Sequence, residues 1–226
     1  MKIGLFGGTF NPIHRCHLTM AHQVRDRLTL DSILFIPTGT PPHKQLESLA
    51  PAHHRLAMVR EAIAEEPTFS VTDLEVRRTS PSYSIDTVRA LQQEYGQGAE
   101  IFFLIGLDAF LDIPTWKQAP DLLRTCHVVV IGRPGFQFTS LATLALLPHI
   151  SDESLRALDG RTVDRVDVPI EATAHLILLA LAPCPVSASD VRNRLRLGLN
   201  LGDVLPVQVE SYIMRLGLYK ETTDLA

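Results

Sequence analysis

Residues 3–17, IGLFGGTFNPIHRCH, decide how the rest of the chain reads. The apolar run at 3–6 has the character of a buried strand, and it breaks at Gly7 and Gly8. Thr9, Asn11 and Pro12 carry the chain through a loop, and His14 and His17 then stand three residues apart. An amphipathic stretch at 18–28 follows, so the whole reads as strand, glycine turn and helix. Such a turn suits a polyphosphate. Glycines allow close backbone approach, and a helix N-terminus offers unpaired N–H groups at the positive end of a dipole. Histidines at i and i+3 share a helical face, so both imidazoles can reach one anion. Metal ligation by the pair would need a third ligand, and no Cys, Asp or Glu in ligand spacing stands nearby. Read singly, either histidine is an ordinary loop or cap residue. The pair behind a glycine turn is what argues for function.

Working outward, apolar runs at 32–36, 101–105, 127–131 and 175–181 predict further buried strands, and 69–76 predicts one or two more. Helical periodicity covers 52–66, 85–95 and 207–216, with a short helical region at 114–124 carrying the only tryptophan, Trp116. Residues 187–197 predict a capped helix, with Ser187 at the N-cap, Asp190 at the capping-box position and Gly198 closing it. Residues 136–174 are weakly patterned, with a helix at 141–147 and a strand at 163–168 as the best reading. Strands alternate with helices and lack polar alternation. Both features argue for an α/β, doubly wound parallel sheet covered on two faces. No repeat or linker interrupts the chain, so a single domain over 1–226 is expected, with a small C-terminal helical part over about 187–226. Ligands of such sheets bind beyond the carboxyl ends of strands. The polar loops at 7–17, 38–44, 106–108, 132–135 and 185–192 all follow strands.

Composition narrows the class. The 226 residues carry a formal charge of −4, with 46% hydrophobic and 20% charged residues, which describes an ordinary globular protein. Mild acidity argues against a nucleic-acid partner, because a phosphate backbone demands a basic face. The three cysteines, Cys16, Cys126 and Cys184, are far apart and odd in number, which argues against a disulfide scaffold and for a reducing compartment. Lys2 leads straight into a strand with no signal-peptide pattern, and the longest apolar run, 176–186, is too short to span a bilayer. A cytoplasmic protein without a membrane partner is expected, and a homo-oligomer is left open.

The segment GGTFNPIHRCH resembles the nucleotidyltransferase motif of the nicotinate-nucleotide adenylyltransferases. The run Ser187-Ala188-Ser189-Asp190-Val191-Arg192 is similar to the second motif of that superfamily, a Ser and an Arg opening the last core helix. Between them, Pro41-Pro42-His43-Lys44, Pro81-Ser82-Tyr83-Ser84, Ile105-Gly106-Leu107-Asp108, Pro114-Thr115-Trp116 and Arg133-Pro134-Gly135 follow the family's pattern in the family's order. The resemblance runs from about Lys2 to Tyr219 and implies a Rossmann-like fold. It implies transfer of AMP from ATP to nicotinate mononucleotide in NAD biosynthesis, with Mg²⁺ carried by the ATP phosphates. Catalysis would then fall to His14, His17, Lys44 and Arg192. ATP would be held by Gly7, Gly8, Thr9, Phe10, His17, Gly106, Asp108, Arg133, Ser187, Ser189 and Arg192, and the mononucleotide by Asn11, Lys44, Tyr83, Ser84 and Trp116. No residue is implied as a protein metal ligand.

Each assignment has a plainer counterpart. Trp116 could be a lone core or surface aromatic, Asp108 a helix cap, and Arg133 a solvated loop charge. Two positions depart from the pattern. Asn11 stands where Asp is common, and Cys16 stands where Gly is usual between the histidines. The alternatives carried are the same transfer to the amidated mononucleotide, phosphopantetheine adenylylation, and a catalytically silent nucleotide-binding module.

Overall fold

The computed structural model describes residues 1–39 and 49–219. Among these, seven strands form one sheet: β1 (Lys2–Gly8), β2 (Ser32–Pro37), β3 (Phe69–Val71), β4 (Glu100–Gly106), β5 (His127–Ile131), β6 (Arg165–Pro169) and β7 (His175–Leu179). Their order is β3-β2-β1-β4-β5-β7-β6. The chain steps from β1 out to one edge, returns to lay β4 beside β1, and then builds the other side. That reversal is the switch in strand order beyond which α/β sheets bind ligands. The ladders β1/β4, β4/β5 and β5/β7 are parallel, with Ile3 opposite Ile101 and Val128 opposite Leu176. The doubly wound α/β architecture expected from the alternation is therefore the one observed, with one exception at its edge. β6 runs antiparallel to β7, and only Val168 of it is buried, as an outermost strand allows.

The helices are α1 (Arg15–Leu28), α2 (Ala52–Ile63), α3 (Ser84–Tyr95), a single turn α4 (Leu107–Phe110), α5 (Ala119–Thr125), α6 (Asp152–Asp159), α7 (Ala188–Arg196) and α8 (Val207–Leu216). Several expectations are corrected. Helix α1 begins three residues before the apolar periodicity, because Arg15, Cys16 and His17 join its first turn. Of the one or two strands expected over 69–76, one forms, β3, which is shorter than the patterned stretch. The region 114–124 is not one helix. A 3₁₀ turn at Ile113–Thr115 and α5 flank Trp116, because Pro114 and Pro120 each open a helical segment and Gln118 adopts a left-handed φ of 50° between them. Helix 141–147 is replaced by a 3₁₀ segment at Phe138–Thr143. Helix α6 escaped the periodicity although Ser151 caps it by accepting from the Ser154 N–H.

The chain divides into two compact units. The first comprises Met1–Gly7, Gln23–Ile33 and Tyr83–Cys184. Its core is built on the parallel strands, where Leu5, Leu104, Val129 and Leu178 are buried, together with Phe110 of α4. Each such side chain contributes about 1.5–3 kcal/mol of hydrophobic stabilisation. Cys126 is its free cysteine. Burial raises that thiol's pKa to about 12, so it is an inert packing residue. Cys184 is disulfide-bonded. The second unit comprises Gly8–His22, Leu34–Ser82 and Pro185–Ala226. Phe35, Met58, Val59, Val191 and Val209 are buried in it, and His54 of α2 shares a 2.9 Å hydrogen bond between its Nδ1 and the Tyr212 hydroxyl of α8. Cys16 of this unit is also disulfide-bonded, a state that cysteine count and spacing do not reveal because bridging depends on how the fold brings sulfurs together. Among the described residues no helix is long and apolar enough to cross a membrane.

Candidate active site

In the second unit, the turn after β1 is built around Phe10. Its left-handed φ of 47° folds its ring back over Gly8, where a Cβ would come within 2.9 Å of that ring. Gly8 is therefore required by packing. At Gly7 a Cβ would meet nothing within 4 Å among the described residues, so packing does not require glycine there as it does at Gly8. The Phe10 ring also sets itself edge-on to His17, with centroids 5.1 Å apart. The Asn11–Pro12 peptide that follows is cis.

His14 precedes α1 and His17 lies in its first turn, so the two do not share a helical face as the spacing alone suggests. They meet because His17 folds back. The His14 N–H donates to His17 Nδ1 at 3.2 Å, the His17 N–H donates to the His14 carbonyl at 2.9 Å, and the ring centroids are 3.8 Å apart. An Nδ1 that accepts leaves the proton of a neutral imidazole on Nε2. His14 is buried and His17 half-buried.

Helix α7 supplies the other component of this unit. Ser187 and Asp190 form a complete capping box: the Ser187 hydroxyl accepts from the Asp190 N–H at 3.1 Å, and Asp190 Oδ2 accepts from the Ser187 N–H at 2.9 Å. The Ser187 hydroxyl also donates to Asp190 Oδ2 at 2.6 Å, so it is committed to the cap and is not displayed to a phosphate. These bonds hold the Asp190 carboxyl below its ordinary pKa, with Arg194 and the His14 imidazole adding to the effect. Arg192 then reaches across to the turn. Its Nη1 donates to the Asn11 carbonyl at 2.8 Å and its Nη2 to Ser189 Oγ at 3.1 Å. Its Nε is buried with no hydrogen-bond partner among the described residues. Lys44 and the prolines before it lie outside the described residues.

Two residues that carried no motif complete this unit. Arg55 of α2 is fully buried, and its guanidinium donates to three main-chain carbonyls: Nη1 to Thr9 at 2.7 Å, Nη2 to Gly39 at 2.7 Å and Nε to Ala50 at 2.9 Å. Burial lowers its pKa, and the Tyr219 phenol opposes that shift. Tyr219 donates its hydroxyl to Asn11 Oδ1 at 2.8 Å, and the Ala50 N–H donates to the same oxygen at 3.0 Å. Burial raises the pKa of this phenol. The sequence did hold a signal for Arg55: it stands at i relative to Met58 and Val59 at i+3 and i+4, a charge inside an apolar stripe.

In the first unit, Gly106, Asp108 and Arg133 come together at the ends of β4 and β5. Arg133 Nε lies 3.5 Å from Asp108 Oδ1. Both lean over Gly106, where a Cβ would collide with Asp108 Oδ1 and come within 2.8 Å of Arg133 Nε. Trp116 is half-buried and edge-on to Phe103 of β4, with centroids 6.4 Å apart. Tyr83 is exposed and precedes Ser84, the first residue of α3, where no side-chain cap takes the first-turn N–H groups. Lys117, which no motif marked, holds its Nζ 4.7 Å above the Tyr83 ring and 2.8 Å from Asp86 Oδ2. Tyr83, Ser84, Asp86 and Lys117 thus form a polar and aromatic cluster of this unit.

Among the described residues no group of three or more His, Cys, Asp or Glu could hold a metal ion. The donors assembled are imidazole, guanidinium and main-chain N–H groups, which suit anions.

Comparison with known proteins agrees with this chemistry. Residues 5–194 match the family described as cytidylyltransferase-like. The chain is 41% identical over 221 residues to the probable nicotinate-nucleotide adenylyltransferase of Syntrophotalea carbinolica, covering 97% of this chain and 98% of that protein. It is 39% identical over 219 residues to the one of Geobacter metallireducens, with the same coverage. Its fold is similar to that of Plasmodium falciparum nicotinic acid mononucleotide adenylyltransferase complexed with NaAD, at a TM-score of 0.67 and 19% identity over 96% of this chain and 97% of that one. The chain belongs to the cytidylyltransferase-like family, on its nicotinate-nucleotide adenylyltransferase branch.

Proposed function

We propose that this enzyme transfers AMP from ATP to nicotinate mononucleotide, giving nicotinate adenine dinucleotide and pyrophosphate for NAD biosynthesis in the cytoplasm. It acts as one nucleotidyltransferase domain over 1–226, with 187–226 as its helical subregion. Family membership supports the reaction. The observation that carries the residue roles is the bond from Arg192 to the Asn11 carbonyl, which ties the histidine turn to the start of α7.

An oxygen of the mononucleotide phosphate attacks the ATP α-phosphorus in line. A P–O bond forms there as the bond to the bridging oxygen breaks, and pyrophosphate leaves with that electron pair. The nucleophile is already anionic, so no general base is needed, and catalysis is positioning plus neutralisation of charge. His17 donates Nε2–H to phosphate oxygens, and His14 sits against it. Arg192 offers its Nε to the departing pyrophosphate, Ser189 stands beside it at the start of α7, and Lys44 adds a point charge. The main chain at Gly7 serves the ATP phosphates, with Gly8, Thr9 and Phe10 shaping the turn. Gly106, Asp108 and Arg133 receive the adenosine, Asp108 toward ribose hydroxyls. Trp116 and Tyr83 serve the pyridine ring, Ser84 its carboxylate through the main chain, and Asn11 the mononucleotide phosphate. Mg²⁺ carried by the ATP phosphates would supply charge neutralisation there, and no side chain of this chain is assigned to hold it.

Incubating the enzyme with ATP, Mg²⁺ and either nicotinate or nicotinamide mononucleotide, and following pyrophosphate, tests the assignment. Release with the nicotinate form is expected. Turnover only with the amide form would reassign the substrate, and turnover with neither would remove the assignment.

A further inference from the structure

The reaction above gives neither Arg55 nor Tyr219 a role, yet the turn between β1 and α1 depends on both, Arg55 fully buried and Tyr219 half-buried. Arg55 has no carboxylate within ion-pairing distance among the described residues. Among the described residues this guanidinium is held by main-chain carbonyls and by no counter-ion, an arrangement that serves geometry better than stability. Its three acceptors come from three places in the sequence: Thr9 in the turn, Gly39 after β2 and Ala50 before α2. Ala50 in turn donates its N–H to Asn11 Oδ1, and Tyr219, three residues beyond α8, donates to that same oxygen. Two donors on Oδ1 fix which way the Asn11 amide faces and leave its Nδ2 on the opposite side as the donor end. The turn is thus gripped twice, through its main chain at Thr9 and its side chain at Asn11. The Asn11 carbonyl is also the acceptor of Arg192.

We propose that Arg55 and Tyr219 are positioning residues for AMP transfer, fixing the 9–11 turn so that Arg192 and the following His14 and His17 are aligned for the transition state. The inference rests on the activity proposed above. A planar fork whose Nε, Nη1 and Nη2 reach three separate carbonyls cannot be copied by an ammonium, whose donors all radiate from one nitrogen. A displaced turn misaligns charge-stabilising groups while most ATP contacts survive, so kcat should fall more than ATP affinity.

Arg55→Lys, Arg55→Met and Tyr219→Phe test this, with folding checked by circular dichroism. Arg55→Lys is expected to lower kcat by roughly 10–10²-fold, as for a misplaced reacting geometry. The ATP Kd, from calorimetry, should change by less than about threefold. Arg55→Met should be worse than Arg55→Lys, and Tyr219→Phe should lower kcat by about 3–10-fold, the scale of one hydrogen bond. Histidine ¹⁵N spectra give a readout independent of turnover: His17 should lose its Nε2–H tautomer preference in the Arg55 variants. Wild-type inactivity would remove the proposed reaction, while the histidine spectra would still report on the scaffold. If the Arg55 variants do not fold, Tyr219→Phe decides alone. Folded variants with wild-type kcat and an unchanged His17 tautomer, and only a lowered Tm, would overturn the proposal.

Discussion

The role proposed for His17 depends on which nitrogen holds the proton. With Nδ1 accepting from the His14 main chain, Nε2 would carry the proton of a neutral ring, already oriented for charge developing on phosphate. Removing the imidazole should lower kcat by roughly 10²–10³-fold, the range for one preorganised donor. Steady-state kinetics of His17→Ala at saturating substrates will show it, and an unchanged kcat would sink the role. His17→Asn is a sharper probe, since its Oδ1 can still accept the His14 N–H while its amide donor falls short of the Nε2 position; kcat should stay close to that of His17→Ala. The two glycines behave differently at this scale. Gly8 makes room for the Phe10 ring and Gly7 faces open space, a distinction that the letters Gly-Gly cannot convey.

At the scale of elements, α7 is the clearest case of local chemistry deciding structure. Its capping box satisfies first-turn N–H groups and aims the start of the helix, from which Ser189 and Arg192 project. Ser187→Ala should destabilise the protein by about 0.5–2 kcal/mol, measurable by denaturant titration. Because the Ser187 hydroxyl is committed to Asp190, the same variant should lose less activity than Arg192→Ala. A kcat loss as large as that of Arg192→Ala, without loss of stability, would show that the hydroxyl meets substrate instead. The region around Trp116 teaches the converse. Two prolines and a left-handed Gln118 cut an apparent helix into pieces, and Trp116 is displayed from the gap between them.

Across the molecule, stability should depend on pH through half-buried histidines that the proposed chemistry does not use. On β5, His127 stacks between Phe102, 4.5 Å away, and His175, 5.6 Å away. Burial lowers its pKa below 6.5, and His175 and Lys2 push the same way against Glu100 and Asp167. The unfolded chain therefore binds this proton more readily than the folded one. The stability it contributes is complete above pH 6.5 and is lost as pH falls from there toward the lowered folded value. His54 carries a shift of the same sign. Calorimetric Tm should fall as pH drops from about 7.5 to about 5.5, and His127→Phe should flatten part of that fall. An equal fall in the variant would show that His127 is not responsible.

The sequence by itself determined the strand–turn–helix opening, the parallel apolar strands and the capped helix at 187, because these rest on local periodicity, glycine and proline constraints and short-range capping bonds. It also held the family's motifs in order. Only the tertiary structure decided what depends on contacts between distant segments. These are the antiparallel edge placement of β6, the orientation of the His17 ring, the pairing of Asp108 with Arg133 over Gly106, and the hold of Arg192 on Asn11. Arg55 and Tyr219 belong to this second group most clearly. The apolar stripe around Arg55 hints at its burial, but neither it nor Tyr219 shows its partners until the fold brings Thr9, Asn11, Gly39 and Ala50 to them. Hydrogen bonds to main-chain carbonyls carry no residue identity, so nothing in the letters at those positions announces the partner.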